Sequence, residues 1–152
     1  MSQYLASINW QRNNENFLAN EYSRAHSWSF DGGVEVPASA SPHIVAAPWS
    51  VADNVDPEEA FVASLASCHM LFFLAIACKQ GYQIESYSDD AVGTLSKDED
   101  GKLAMTAVTL NPKVEFTGDK IPDRDQIEAI HHQSHEHCFI ANSVKTAITI
   151  QY

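Results

Sequence analysis

The chain has 152 residues, 45% of them hydrophobic, and a formal net charge of -11. That length suits one domain, residues 1–152, with a core of its own. The excess of carboxylates argues against nucleic acid, where phosphates demand clustered Lys and Arg, and against an anionic membrane surface. Three cysteines is an odd number and does not fit the closed disulfide framework of a small secreted protein. The opening Met1–Ala6 has neither the basic nor the apolar stretch of a signal peptide, so a cytoplasmic location is expected.

Tyr4–Trp10 places Tyr4, Ala6, Ile8 and Trp10 on one face, as a strand does. Asn13-Asn14 reads as a turn and Phe17–Tyr22 as a second strand. In Ala25–Phe30, His26, Trp28 and Phe30 alternate with Ser27 and Ser29, and Asp31-Gly32-Gly33 ends the strand. The N-terminal quarter is thus predicted to be a β-meander with Arg24 between two strands. Pro37, Pro42 and Pro48 then punctuate a long loop up to Asp56.

Asp56-Pro57-Glu58-Glu59 opens a helix. Asp56 suits the N-cap, Pro57 the first helical position, and Glu59 completes a capping box. Gly81 ends this helix after Lys79. Its stretch Ala60–Cys78 is almost wholly apolar and long enough to raise a transmembrane reading. Ser64, Ser67 and His69 within it, and an acidic rather than basic flank, speak against a membrane. A helix apolar on all sides is otherwise buried in protein. One short domain cannot cover every side, so a homodimer is expected.

Two strands, about Tyr87–Lys97 and Lys102–Phe116, are joined by the turn Asp98–Gly101, and a shift of the apolar face between Met105 and Val108 suggests a bulge. A polar helix is expected from about Asp123 to Glu136, a short helix over Cys138–Lys145, and a last strand over Thr146–Tyr152. The resulting order, β-β-β-α-β-β-α-α-β, is that of an α+β domain.

Cys68 lies within the apolar helix and Cys138 far along the chain, a layout suited to a thiol that reacts with peroxide and a second that traps the oxidised sulfur. Cys78 reads as an apolar filler. Burial disfavours a thiolate, and Cys68 lies about three turns into its helix, too deep for the N-terminal dipole to help. It therefore needs a cation. Arg24, among Tyr22, His26 and Trp28, is the better candidate, because a guanidinium keeps its charge when buried; an exposed strand arginine is the plainer alternative.

Three stretches carry a resemblance: Tyr22–Gly33, Asp56–Met70 with Pro-Glu-Glu and Ala-Ser-Cys-His-Met, and Cys138–Val144. With the order of elements, they resemble the OsmC/Ohr family of thiol-dependent hydroperoxide reductases over nearly the whole chain. The resemblance implies an OsmC-like fold: a meander and further strands wrapped around a long central helix, in an intertwined homodimer. It implies a peroxidatic cysteine at Cys68, a resolving cysteine at Cys138 and a Cys68–Cys138 disulfide, with an activating arginine at Arg24 and its carboxylate partner at Glu58. It also implies reduction of organic hydroperoxides, more weakly of hydrogen peroxide, in oxidative or osmotic stress defence. No bound cofactor is implied, only an external dithiol reductant of lipoyl type. One departure is Phe139, where the family has proline; this is expected to loosen the following helix. Glu58 and Cys68 lie about 15 Å apart along one helix at the usual rise. One arginine can hardly bridge them in one chain, so a site shared across the dimer interface is expected.

Two other readings compete. His131, His135 and Cys138 are spaced to face one side of a helix, as three zinc ligands would be, although a solvated helix end explains the histidines more simply. The scaffold also suits a non-catalytic protein that holds an apolar ligand.

Overall fold

In the computed structural model, which describes residues 1–152, two compact units are distinguished, Met1–Ala60 and Phe61–Tyr152. The first holds an antiparallel meander of β1 (Ala6–Asn9), β2 (His26–Phe30) and β3 (Glu35–Ala38), in that spatial order. β3 lies where a loop is predicted. It is an edge strand, which is where a proline such as Pro37 is tolerated, and Ser27 pairs with Pro37. Phe17–Tyr22 is not a strand. Phe17–Ala19 forms a 3₁₀ turn, and Asn13, Asn14 and Asn20 all adopt positive φ. Asparagine tolerates that region, and three such residues fold the segment back on itself.

Helix α1 (Pro57–Lys79) carries the unit boundary in its first turn. Its capping box is present: the Glu59 amide donates to Asp56 Oδ1 at 2.8 Å, and the Asp56 amide donates to Glu59 Oε2 at 3.2 Å. Gly81, at φ 80°, closes the other end, and the Tyr82 amide donates to the Ala77 carbonyl. One face, Leu65, His69, Phe73 and Ala77, is buried. The remaining surface is apolar as well. By length and composition α1 could cross a membrane, and only 22% of its apolar stretch is buried in the single chain.

The second unit contains a long bent hairpin. The strands predicted over Tyr87–Lys97 and Lys102–Phe116 are each broken once, giving β4 (Gln83–Asp89), β5 (Val92–Lys97), β6 (Leu103–Leu110) and β7 (Pro112–Thr117). The bend is pinned by side chains: the Asn111 amide donates to Asp89 Oδ1, Asn111 Nδ2 donates to the Asp90 carbonyl, and Lys113 pairs with Asp90. β4 therefore pairs with β7 in one sheet, while β5, β6 and β8 (Ala147–Ile150) form another. The expected bulge is there, since Thr94 faces Ala107 and Leu95 faces Met105, leaving Thr106 unpaired. β8 returns parallel to β6. Helix α2 (Arg124–His137) starts at a capping box between Asp123 and Gln126.

The core of this unit has two clusters. Phe73, Ala77, Tyr82 and Ile130 lie between α1, α2 and the β4–β7 pair; Leu65, Val108 and Leu110 lie under the β5–β6–β8 sheet.

Candidate functional site

Cys68 is half-buried on α1 and Cys138 is 1% exposed. The two thiols are near enough for each to bear on the other's ionisation, although 70 positions separate them in sequence. Both thiols are free. Burial pushes the Cys138 thiol up from 9.0 to about 11, and the neighbouring Cys68 thiol adds to the effect.

The local chain holds Cys138 firmly. Its amide donates to the His135 carbonyl and closes α2. The Ala141 amide donates to Cys138 Sγ at 3.4 Å, and Asn142 Nδ2 donates to the Glu136 carbonyl at 2.9 Å. The short helix expected here is only the 3₁₀ turn Ala141–Ser143. With no proline after Cys138 to start a helix, Asn142 and Ser143 secure the turn through their side chains, Ser143 Oγ donating to the Phe139 carbonyl.

In front of Cys68 lies an open cavity of about 470 Å³, lined by Leu71, Phe72, Ala75, Phe139 and Ile140, with Ser64 and Ser67 at its edge. Phe139 is 70% exposed and meets Phe72 edge to face, with centroids 5.0 Å apart. The residue that departs from the family pattern thus forms part of the wall beside the thiol. The volume suits a small organic molecule, and the lining favours an apolar one.

Arg24 and Glu58 both belong to the first unit. The Arg24 guanidinium lies 3.7 Å from the Tyr22 ring centroid and donates to the Tyr22 carbonyl and to Asn20 Oδ1. The Arg24 carbonyl accepts from His26 Nδ1 at 2.7 Å, a tautomer set by the Trp28 indole N–H, which donates to His26 Nε2. Glu58 is half-buried and makes no ion pair; the ion pairs of the chain are Lys113–Asp90 and His132–Glu136. Within one chain, therefore, Arg24 and Glu58 are not brought together.

The histidines are arranged differently from the expectation. His131 turns inward, 1% exposed, and its Nδ1 lies 3.0 Å from Nε2 of His69, which is equally buried. His131, His135 and Cys138 do not converge, and no group of three His, Cys, Asp or Glu side chains is placed to hold a metal. The imidazole pair was not legible as a pair. Its signal was polar residues at core-facing helical positions, His69 four residues after Leu65 and four before Phe73.

The OsmC-like protein family model matches residues 51–152. No curated protein matches the chain. Among solved structures, an OsmC-like protein of unknown function from Vibrio cholerae is 55% identical, covers 99% of both chains and superposes with a TM-score of 0.98. An organic hydroperoxide resistance protein OsmC from Legionella pneumophila is 20% identical, over 99% of this chain and 95% of that one, with a TM-score of 0.66. The organic hydroperoxide resistance protein OhrB of Bacillus subtilis is also 20% identical, over 99% and 98%, with a TM-score of 0.65. At that identity these two share the fold. With a family model matched over two thirds of its length and this architecture, the chain belongs to the OsmC-like family.

Proposed function

We propose that the chain is a thiol-dependent peroxidase that reduces organic hydroperoxides, and hydrogen peroxide more weakly, in stress defence. The observation that carries this reading is the proximity of two free thiols, one half-exposed and one buried, beside an apolar cavity.

The Cys68 thiolate attacks the distal oxygen of ROOH. The O–O bond breaks, the alkoxide takes up a proton to leave as ROH, and Cys68 becomes a sulfenic acid. Cys138 then attacks Cys68 Sγ: the S–S bond forms, the S–O bond breaks, and the hydroxyl leaves as water with the Cys138 proton. The high pKa of Cys138 keeps that proton in place until the step that needs it. An external dithiol returns both sulfurs to thiols in two exchanges, itself becoming a disulfide. In this reading Arg24 supplies the cation for the thiolate and for the departing alkoxide, and Glu58 positions Arg24 across the interface of a homodimer in the cytoplasm.

The dimer follows from α1. Its apolar surface is left largely open in the single chain, with Leu71 59% exposed. A patch of this kind drives association. A second copy rather than lipid covers it, because Ser64, Ser67 and a buried, hydrogen-bonded His69 punctuate the stretch.

The test is peroxide consumption with a dithiol, comparing cumene hydroperoxide with hydrogen peroxide in wild type and Cys68→Ser. Faster turnover of the organic substrate, lost with Cys68, is expected. Activity that is absent, or indifferent to Cys68, would point instead to a protein that only holds an apolar ligand in this cavity.

A further inference from the structure

We propose that the hydrogen bond between His69 and His131 is the register pin of disulfide formation, holding Cys138 within bonding reach of Cys68; this rests on the peroxidase reading above.

Between α1 and α2 the contacts are otherwise apolar or aromatic. Phe73 and Ala77 meet Ile130, and the Phe73 ring lies 4.4 Å from His131. Ser134 is buried on the same side of α2, but its hydroxyl donates to its own helix, at the Ile130 carbonyl. Apart from the thiols themselves, the imidazole pair makes the one side-chain hydrogen bond that joins Pro57–Lys79 to Arg124–His137. Apolar contact has no direction and tolerates sliding. A hydrogen bond does not. A slip of one residue along either helix is about 1.5 Å, enough to break a 3.0 Å contact between two groups that are each 1% exposed. Two more buried nitrogens would then lack partners, beside His69 Nδ1 and His131 Nε2, which have none.

The pin stands where it can govern the thiols. His69 follows Cys68 directly on α1. His131 precedes Cys138 by about two turns on the helix that Cys138 terminates. Tyr152 stacks on His131 at 4.4 Å, with planes 22° apart, and so backs the ring. Disulfide closure accepts only a narrow range of Cα separation and torsion. Attack of Cys68 on peroxide makes no use of α2. Losing the pin should therefore spare the first oxidation and slow the second step, in which Cys138 forms S–S and expels water from the sulfenic acid. A second peroxide molecule then competes and oxidises Cys68 further to the sulfinic acid.

The experiment uses the full chain, reduced, then treated with one equivalent of cumene hydroperoxide, quenched and read by mass spectrometry. Sulfenic acid trapped on Cys68 and the Cys68–Cys138 disulfide are timed separately. His131→Phe keeps a ring against Phe73 and Tyr152 but removes the bond. Its sulfenic acid should form at the wild-type rate, and its disulfide about tenfold or more slowly, as misplacement of reacting groups commonly costs. His131→Asn, with its amide near the place of Nδ1, should recover most of the disulfide rate. The pin is overturned if the His131→Phe disulfide forms at the wild-type rate, if both steps slow alike, or if His131→Asn recovers nothing. Should His131→Phe fail to fold, His69→Gln against His69→Leu decides on the same two rates. Wild-type protein whose Cys68 takes up no oxygen overturns the peroxidase reading and the pin together. Normal chemistry in wild type and variants alike overturns the pin alone.

Discussion

Acidification should weaken the fold through His69 and His131. Burial, aided by the neighbouring imidazoles, holds both well below the usual value of 6.5, at about 4. The unfolded chain therefore binds protons that the folded chain refuses, so this contribution to stability is complete above about pH 6.5, shrinks as pH falls, and levels off near pH 4. For one imidazole moved this far, linkage gives a loss of about 2 kcal/mol by pH 5 and about 3 kcal/mol by pH 4. We take about 2 kcal/mol at pH 5 for the pair as a whole, since its protons are coupled and the first already breaks the shared hydrogen bond. Urea midpoints at fixed protein concentration, from pH 8 to 5, measure it in wild type and in His69→Leu/His131→Phe. Replacing both partners by apolar groups of similar shape can be close to neutral at pH 8. The double variant should then lose less stability on acidification. Asp89, whose carboxyl is pushed up by burial, titrates in the opposite sense in both proteins and cancels. Parallel pH profiles for the two proteins would refute the assignment of acid lability to this pair.

Cys68→Ser should abolish turnover, whereas Cys138→Ser should allow one oxidation and then accumulate sulfinic acid on Cys68, seen by mass spectrometry; a Cys68–Cys78 disulfide instead would remove Cys138 from the cycle. Arg24→Ala should slow single-turnover oxidation more at neutral than at alkaline pH, and an unchanged pH profile would transfer the role of cation to another group. Mixing wild type with a Glu58→Ala/Cys68→Ser double variant should give nearly inactive heterodimers if each site is shared, while half the wild-type activity would show self-contained sites. Gly93→Ala should cost about 1–3 kcal/mol in thermal or urea unfolding, as overpacking does. A Cβ there would collide with Val62 Cγ2 and Met105 Cε. Methionine can swing aside but a β-branched valine is stiff, so an unchanged midpoint would mean that the α1 backbone yields.

Capping and periodicity made both α-helices legible, because Asp56, Glu59, Asp123 and Gln126 act within one turn and need no tertiary contact. The long strands were misread where the chain bends. Asp89, Asp90 and Asn111 break the ladder through contacts across the hairpin, which periodicity along one strand does not register. Phe17–Tyr22 misled because its apolar residues fit a strand while its asparagines dictate the backbone. The two thiols announced themselves by their apolar setting and by resemblance, and the chain brings them together. His131 did not, because in sequence it belongs to an apparently solvated run of histidines, and only the docking of α2 against α1 reveals which ring faces inward.

The unequal exposure of the two thiols sets an order of events. A reagent arriving from water meets Cys68, while Cys138 at 1% exposed is screened from it. Modifiers small enough to enter the cavity of about 470 Å³, which Cys68 lines and Cys138 does not, should therefore mark one sulfur of the pair and leave the other intact. In the proposed cycle an oxidant reaches the outer sulfur first, and the inner one reacts only after the outer one has been changed.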